Sequence, residues 1–194
     1  MDLTDQNAPD ALADAIVVYA HGARKRLGTF WATQPALLIF LRHFACPGCW
    51  EQAAELTPHL SALKAAGIRV VLVGLAEPSR ILPFRDRARL EDADVDIVVD
   101  ASLATHRAAG LLRSAWATYG PRSVASALKL YASGYYIPRD EDDGDLLQQG
   151  GALLIDRSGR IVLHHVAKHP TDHVDLRAVV KTAEGVAARP TLRL

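Results

Sequence analysis

The chain has 194 residues, of which 49% are hydrophobic and 23% charged, the size and composition of one globular domain with a full core. Its 22 basic and 22 acidic residues cancel, so the sequence predicts neither a nucleic-acid partner nor a membrane partner. The acidic start, and the lack of an apolar run near the roughly 18 residues of a membrane helix, lead us to expect a cytoplasmic protein.

The first forty residues predict a loose arm, a hairpin and a buried strand. Residues 1–10 carry no apolar periodicity and read as a loose arm. Residues 15–20 read as a strand, although residues 11–19 also fit a helix, and residues 23–27 return as the second strand of an N-terminal β-hairpin. The unbroken apolar run 36–41 then predicts a short buried strand.

The only two cysteines of the chain follow that strand, in the sequence Cys-Pro-Gly-Cys at 46–49. A helical pattern begins there, with Cys46 near the N-cap and Pro47 at the first helical position, where no N–H is needed. The free N–H groups and the positive dipole end of a helix favour an anion, and such a position lowers the pKa of a thiol. The pattern therefore indicates a dithiol in which Cys46 is the nucleophile and Cys49 its resolving partner.

Helices and strands alternate through the rest of the chain. In order, the sequence predicts a helix over 46–66 kinked at Pro58, a strand over 69–74, a helix over 78–90, a strand over 95–99, a helix from Asp100 or Ser102 to 109, helical structure around 124–131, a hairpin of 152–155 and 160–165, and a helix from Thr171 or Asp172 to 183. Residues 134–149, with an acidic run at 140–143, read as an exposed loop, and residues 185–194 as a loose tail. The order predicts one α/β domain over residues 1–194, with a mixed central sheet flanked by helices on the thioredoxin-like plan.

The residues around the dithiol also carry a resemblance to a known family. Residues 41–49, Leu-Arg-His-Phe-Ala-Cys-Pro-Gly-Cys, are similar to the Arg-His-Phe-x-Cys-x-x-Cys signature of peroxiredoxin-like proteins of the alkyl hydroperoxide reductase/thiol-specific antioxidant superfamily. The similarity continues at 98–102, 144–151 and 155–159. It implies a thioredoxin-like fold and reduction of peroxides through a disulfide cycle of the two cysteines. It also implies a thioredoxin- or glutathione-type reductant and no bound cofactor, and it leaves a homodimer open.

Two departures from the family pattern bear on mechanism. Typical peroxiredoxins place Thr or Ser three residues before the reactive cysteine, where this chain has His43. We therefore expect slower peroxide reduction with an added pH dependence. Thioredoxins carry a cis-proline opposite the dithiol, and Gly150-Gly151 is expected to take that place here, which suggests a different surface for peptide disulfides.

His43 and Arg42 are the candidate activators of Cys46. A neutral imidazole could accept the thiol proton, and a charged one would lower the thiol pKa, but His43 fits a buried structural histidine equally well. Arg42 offers a fork of donors to a thiolate or a peroxide oxygen. Because side chains alternate along a strand, we expect at most one of the two to point at the sulfur.

Other interpretations of the cysteine pair remain open. The two thiols could be structural core residues, or they could bind zinc. The other donors in close array are His164, His165, His169 and His173, which we expect to be mostly solvated, so the sequence predicts no metal site. The leading functional hypothesis is a peroxiredoxin-like thiol peroxidase. The alternatives are a protein dithiol–disulfide reductase and a non-enzymatic redox-sensing or binding module.

Overall fold

The computed structural model describes residues 2–91, 93–134 and 144–187. Within these ranges seven strands form one mixed sheet. The strands are β1 (Ile16–Val18), β2 (Arg24–Arg26), β3 (Ala36–Phe40), β4 (Arg69–Gly74), β5 (Asp96–Val99), β6 (Gly151–Ile155) and β7 (Ile161–Val166). Their spatial order is β2-β1-β5-β4-β3-β6-β7. The neighbours β3, β4 and β5 run parallel, and the other neighbours pair antiparallel. The predicted fold class, with its N-terminal hairpin, is confirmed.

Helices pack on this sheet, and several predicted boundaries move. They are α1 (Asp10–Ala13), α2 (Pro47–Leu56), α3 (Leu60–Ala65), α4 (Ile81–Arg87), α5 (Ala104–Ala108), α6 (Ala115–Tyr119), α7 (Pro121–Ala132) and α8 (Leu176–Ala187). The predicted helix 46–66 is divided into α2 and α3 by a 3₁₀ turn that contains Pro58, whose ring removes a backbone donor. The last helix begins later than expected, because the Asp175 carboxylate accepts the N–H groups of Arg177 and Ala178.

The sheet separates two clusters of buried apolar side chains. Alternation along β3 sends Leu37 and Ile39 into one cluster and Leu38 and Phe40 into the other. The first cluster lies under α2, α3, α4 and α8, and it contains both cysteines. The dithiol is therefore part of the packed core.

The expectation of a loose N-terminal arm is wrong for residues 3–8. The N–H of Asp5 donates to Ile161 O at 2.7 Å, and the N–H of Ile161 donates to Gln6 O at 2.8 Å. The N–H of Leu3 donates to His164 Nδ1 at 2.9 Å, and the Leu3 side chain is buried. The arm thus runs along the outer side of β7 and covers an edge that would otherwise expose backbone hydrogen-bonding groups.

The predicted exposed loop 134–149 divides into two parts. Residues 135–143, with the acidic run, lie outside the described residues, as do residues 188–194 of the expected tail. In the described remainder, Gln148 and Gln149 are buried, so this part of the prediction is wrong. Among the helices of the described ranges, none is long and apolar enough to cross a bilayer.

Candidate active site

The dithiol lies where the chain leaves the central strand and enters α2. Beyond the end of β3, Leu41 still donates to Val73 O of β4 at 2.9 Å, and Leu75 donates to Arg42 O at 3.0 Å. Cys46 is the N-cap of α2 in an extended conformation, and Pro47 is the first helical residue. The predicted placement of Cys46 at a helix N-terminus therefore agrees with the structure, and the local cause is the proline that fits this turn.

The two thiols are free, almost completely buried and electrostatically different. A hydrogen bond from the Cys49 thiol, helped by the positive charges of Arg42 and His43, holds the pKa of Cys46 well below the usual thiol range, against the opposing effect of burial. Burial, together with the neighbouring Cys46 thiolate, raises the pKa of Cys49 well above that range. Over a wide pH interval the pair therefore consists of one thiolate and one thiol.

Arg42 connects both sulfur atoms to the rest of the fold. Its backbone N–H donates to Cys49 Sγ at 3.2 Å, and its Nη1 donates to Cys46 Sγ at 3.4 Å. The same guanidinium donates from Nε to Gln148 O at 3.0 Å and from Nη2 to Leu146 O. Backbone carbonyl oxygens of a segment distant in sequence thus fix the orientation of the guanidinium group, and its Nη1 points at the thiolate.

Thr118 of α6 joins this network from the opposite side. Its hydroxyl accepts from Arg42 Nη2 at 3.4 Å and from Gln149 Nε2 at 2.8 Å, and it donates to Leu146 O at 2.9 Å. Sequence reasoning missed Thr118, Leu146 and Gln148. The available signal was the family-like segment 144–151, but its polar composition led us to interpret most of it as solvated loop.

His43 stands between the end of β3 and the dithiol helix and is only 6% exposed. Its carbonyl accepts the N–H of Cys46 at 2.9 Å, and its charged form favours the Cys46 thiolate. Of the two candidates, Arg42 is the one with a side-chain hydrogen bond to Cys46 Sγ. Strand alternation is not the reason, because β3 ends at Phe40.

A second histidine supports the site from behind and was not singled out from the sequence. His106 of α5 is fully buried, packs edge-on against Phe40, and donates from Nε2 to Leu41 O at 2.9 Å. Its Nδ1 then accepts from the Thr105 hydroxyl at 3.2 Å. Burial lowers the pKa of His106 to about 4, so the ring is neutral at physiological pH and serves as a hydrogen-bonded brace for the strand end.

Two close backbone approaches shape the edges of the site and require glycine. A Cβ at Gly150 would clash with Phe40 O, and a Cβ at Gly48 would clash with Pro170 O. The first lets the segment carrying Gln148 and Gln149 lie against the end of β3. The second lets the chain after β7 cover the first turn of α2, beside the dithiol.

The histidines near the C-terminus do not behave as the sequence suggested. The His164 ring lies between Leu3 N, from which its Nδ1 accepts, and Ala109 O, to which its Nε2 donates. His165 Nε2 donates to Asp172 O, and His173 Nδ1 contacts Glu55 at 2.9 Å. The expectation that these histidines are mostly solvated is wrong for His164 and His173, whose side chains are 1% and 10% exposed. In the part of the chain that the structure describes, no group of three or more His, Cys, Asp or Glu side chains is arranged to hold a metal ion.

Comparison with known proteins places this geometry in context. The profile of a family described as AhpC/TSA antioxidant enzyme matches residues 55–169. The zebrafish (Danio rerio) prostamide/prostaglandin F synthase is 30% identical over 170 residues, which cover 86% of this chain and 82% of the relative. The mouse (Mus musculus) peroxiredoxin-like 2C is 25% identical over 179 residues, 88% of this chain and 78% of the relative.

The same fold is found among solved peroxiredoxins. The structure of Xanthomonas campestris peroxiredoxin Q superposes with a TM-score of 0.65 at 16% identity, covering 93% of this chain and 96% of the other. The arrangement of the sheet and helices is therefore shared with that protein. The roles of individual side chains in this chain rest on the contacts described above.

Proposed function

The chain belongs to the AhpC/TSA antioxidant enzyme family, whose members are thioredoxin-like oxidoreductases, and from this premise we propose that it is a thiol peroxidase using Cys46 and Cys49. The observation that carries the proposal is the asymmetry of the pair. Cys46 is the N-cap of α2, and its Sγ accepts a hydrogen bond from Arg42 Nη1 at 3.4 Å. The pKa of Cys46 is lowered, whereas the pKa of Cys49 is raised. A nucleophile and a protonated partner are what such a cycle requires.

The proposed cycle has three balanced steps. The Cys46 thiolate attacks one oxygen of a peroxide ROOH, the O–O bond breaks, Cys46 becomes a sulfenic acid, and the RO⁻ leaving group takes up a proton as ROH. The Cys49 thiol then attacks the sulfenic sulfur, forming a disulfide while its proton leaves with the hydroxyl as water. A thioredoxin- or glutathione-type thiol reductant supplies two electrons and two protons by exchange and restores both thiols.

The residues around the pair have distinct proposed roles. Arg42 stabilises the thiolate and offers a donor to the departing oxygen, because its fork is held by Leu146 O and Gln148 O. His43 adds positive charge when protonated and takes the position at which related enzymes have a hydroxyl. We therefore expect His43 to give the reaction a pH dependence.

Peroxide turnover by the wild-type chain beside Cys46→Ser and Cys49→Ser tests the proposal. With a thiol reductant present, we expect steady turnover only in wild type. Cys46→Ser should be inactive, and Cys49→Ser should consume about one equivalent of peroxide and then accumulate a Cys46 sulfenic acid. Insulin-type disulfide reduction without peroxide turnover would instead indicate a dithiol–disulfide reductase. Loss of both activities, with reversible oxidation retained, would indicate a redox-sensing module.

Oxidation should give a bridge within one chain. The two cysteines enclose a very small loop, so closing it costs little chain entropy. We expect mass analysis under non-reducing conditions to find a Cys46–Cys49 disulfide, with a potential of roughly −270 to −120 mV as in other such motifs. Mainly inter-chain bridges would contradict this mechanism.

The relatives suggest which peroxides to compare. The zebrafish protein is named for forming prostamide and prostaglandin F, both lipid products, so oxygenated lipids belong beside hydrogen peroxide in the substrate panel. Faster reduction of lipid peroxides than of hydrogen peroxide would extend the proposal from small oxidants to lipids.

A further inference from the structure

The Arg42 guanidinium is a buried positive charge whose partners are almost all neutral. The residue is 6% exposed. Three of its hydrogen-bond acceptors carry no charge, namely Gln148 O, Leu146 O and the Thr118 hydroxyl. The fourth acceptor is Cys46 Sγ, which lies 3.4 Å from Nη1. Within the described ranges no carboxylate lies at ion-pairing distance from this guanidinium, so the Cys46 thiolate is the anion that balances its charge.

The other contacts of the two sulfur atoms favour the same negative charge. The backbone N–H of Arg42 donates to Cys49 Sγ at 3.2 Å. Cys46 is the N-cap of α2, where the free N–H groups of the first turn favour an anion. The Cys49 thiol donates to the Cys46 sulfur and holds the pKa of Cys46 well below the usual thiol range. The fold is thus arranged around a reduced pair that carries one negative charge.

Oxidation to a disulfide removes that charge. A disulfide is neutral, and hydrogen bonds to a neutral acceptor are about half as strong as those to an ionised one, so the contacts around the sulfur atoms weaken. The Arg42 guanidinium then stays buried without an anion, and an uncompensated buried charge is strongly destabilising. Both effects raise the free energy of the oxidised chain relative to the reduced chain, and the reduction potential of the pair rises with it.

We propose that the Cys46–Cys49 disulfide is a strong thiol oxidant, and that a small monothiol of the glutathione type is therefore a sufficient reductant for it. The second clause rests on the proposed function, because it names the class of reductant that completes that cycle. In the proposed step two molecules of RSH are oxidised to RSSR and the S–S bond of the protein breaks. Cys46 is released as a thiolate, Cys49 as a thiol, and one proton passes to solvent.

The burial of the pair also favours a small thiol over a protein thiol. Cys46 and Cys49 are 2% and 3% exposed. The chain after β7 covers the first turn of α2 so closely that a Cβ at Gly48 would clash with Pro170 O. A protein reductant would have to displace this covering segment, whereas a monothiol needs a passage for one small flexible molecule.

Equilibration with glutathione tests the potential without any peroxide. The full chain is incubated in buffers of known reduced and oxidised glutathione, and the disulfide fraction is measured by acid quenching, thiol alkylation and mass analysis. We expect Arg42→Met to lower the equilibrium constant for reduction at least tenfold, about 30 mV for this two-electron couple. Arg42→Lys keeps the charge and should lose less. Arg122→Met, the same substitution at an exposed position of α7, should keep the wild-type constant, and an equal constant in Arg42→Met would overturn the proposal.

The pH dependence of the same constant tests whether the reduced pair carries a charge. Reduction to one thiolate and one thiol releases one proton, so the constant should rise tenfold per pH unit between about pH 6 and pH 7.5. A merely structural role of Arg42 predicts no such slope. The measurement uses proteins that keep Arg42, so it stands even if Arg42→Met does not fold.

The neighbouring ionisable groups decide which variant carries this test. His43 is the other cation that acts on Cys46, and its imidazole could hold the released proton. His43→Gln removes that possibility and should show the tenfold slope; a constant of this variant that does not change with pH would overturn the proposal. His106 behind the strand end is neutral, and Asp145, on the segment that holds Arg42, is paired with Arg113.

A comparison of reductants separates this inference from the proposed function. The oxidised chain is mixed with an excess of reduced glutathione, or with thioredoxin and its reductase, and we expect glutathione alone to reduce it completely. A chain that glutathione reduces but that consumes no peroxide would refute the peroxidase and leave the strong oxidant intact. A chain that turns over peroxide with the thioredoxin system, but whose disulfide resists glutathione, would refute this inference alone.

Discussion

The dithiol turn and the outer surface of α6 and α7 meet at Thr118, and they differ in how far the fold buries their side chains. At the turn, Arg42, Cys46 and Cys49 are at most 6% exposed, and carbonyls, a hydroxyl and each other satisfy their polar groups. On the outer surface of α6 and α7, five large apolar side chains are at least 51% exposed, namely Trp116, Tyr119, Val124, Leu128 and Tyr131. The first arrangement is complete within one chain and suits chemistry that needs a fixed geometry. The second leaves apolar side chains exposed to water.

Substituting Arg42 should have the largest effect, and it tests whether the turn is held by specific contacts. Arg42→Ala removes a hydrogen bond to a charged sulfur, which is worth about 2–3 kcal/mol. We expect alkylation of Cys46 at neutral pH to slow by roughly 30- to 100-fold. Arg42→Lys keeps the charge but loses the fork and should recover only part of the rate. Arg122→Ala, at an exposed position of α7, is the control, and an Arg42→Ala protein that reacts as fast as this control would contradict the role assigned to Arg42.

His106 tests whether the brace behind the turn contributes to stability. Its pKa of about 4 in the folded protein lies below the ordinary value, so the unfolded chain binds the proton more readily. Stability should therefore fall as pH decreases from about 6.5 toward 4, with about 2 kcal/mol lost between pH 7 and pH 5. In His106→Gln that part of the loss should be absent.

Urea denaturation at the two pH values measures the effect of His106. His21→Gln, at an exposed histidine, should keep the wild-type difference between them. An equal pH dependence in both variants would show that His106 does not titrate as a buried neutral ring.

His43→Ala tests whether this buried histidine acts on the sulfur or only fills space. Loss of about 1.4 kcal/mol of thiolate stabilisation corresponds to a tenfold slower reaction of Cys46. The pH profile of alkylation should also lose the step that the imidazole contributes. His43→Thr should recover part of the peroxide rate by restoring the hydroxyl of related enzymes. If His43→Ala changes neither rate nor profile, the histidine is structural and Arg42 alone activates the thiolate.

Thr118 should give the smallest effect, and it sharpens the comparison because this residue belongs to both regions. Thr118→Val removes a hydroxyl that accepts from Arg42 and Gln149, a loss of about 1 kcal/mol. We expect Cys46 reactivity to fall about fivefold, with Thr118→Ser close to wild type. Full Cys46 reactivity in Thr118→Val would show that the hydroxyl does not help to orient Arg42.

The sequence predicted well those features that depend on neighbouring residues. The apolar run 69–74 gave β4 with both ends correct, and the hairpin of β6 and β7 lies where its turn residues indicated. Prediction from the sequence was poorer where contacts between residues far apart in the chain determine the structure. The N-terminal arm and the segment around Gln148 are polar and looked solvated, but each is held by hydrogen bonds to residues far along the chain.

For the candidate site, the sequence by itself determined the position of the dithiol. A buried strand followed by Cys46 and Pro47 is enough to place a thiol at a helix N-terminus, because N-cap and first-turn preferences act over a few residues. Only the tertiary structure decided which group contacts that thiol. The direction of the Arg42 side chain depends on Gln148 O, 106 residues away in sequence, and on Thr118. Partners this remote in sequence produce no periodicity or spacing that could be recognised in the chain, because these contacts form only once the sheet has assembled.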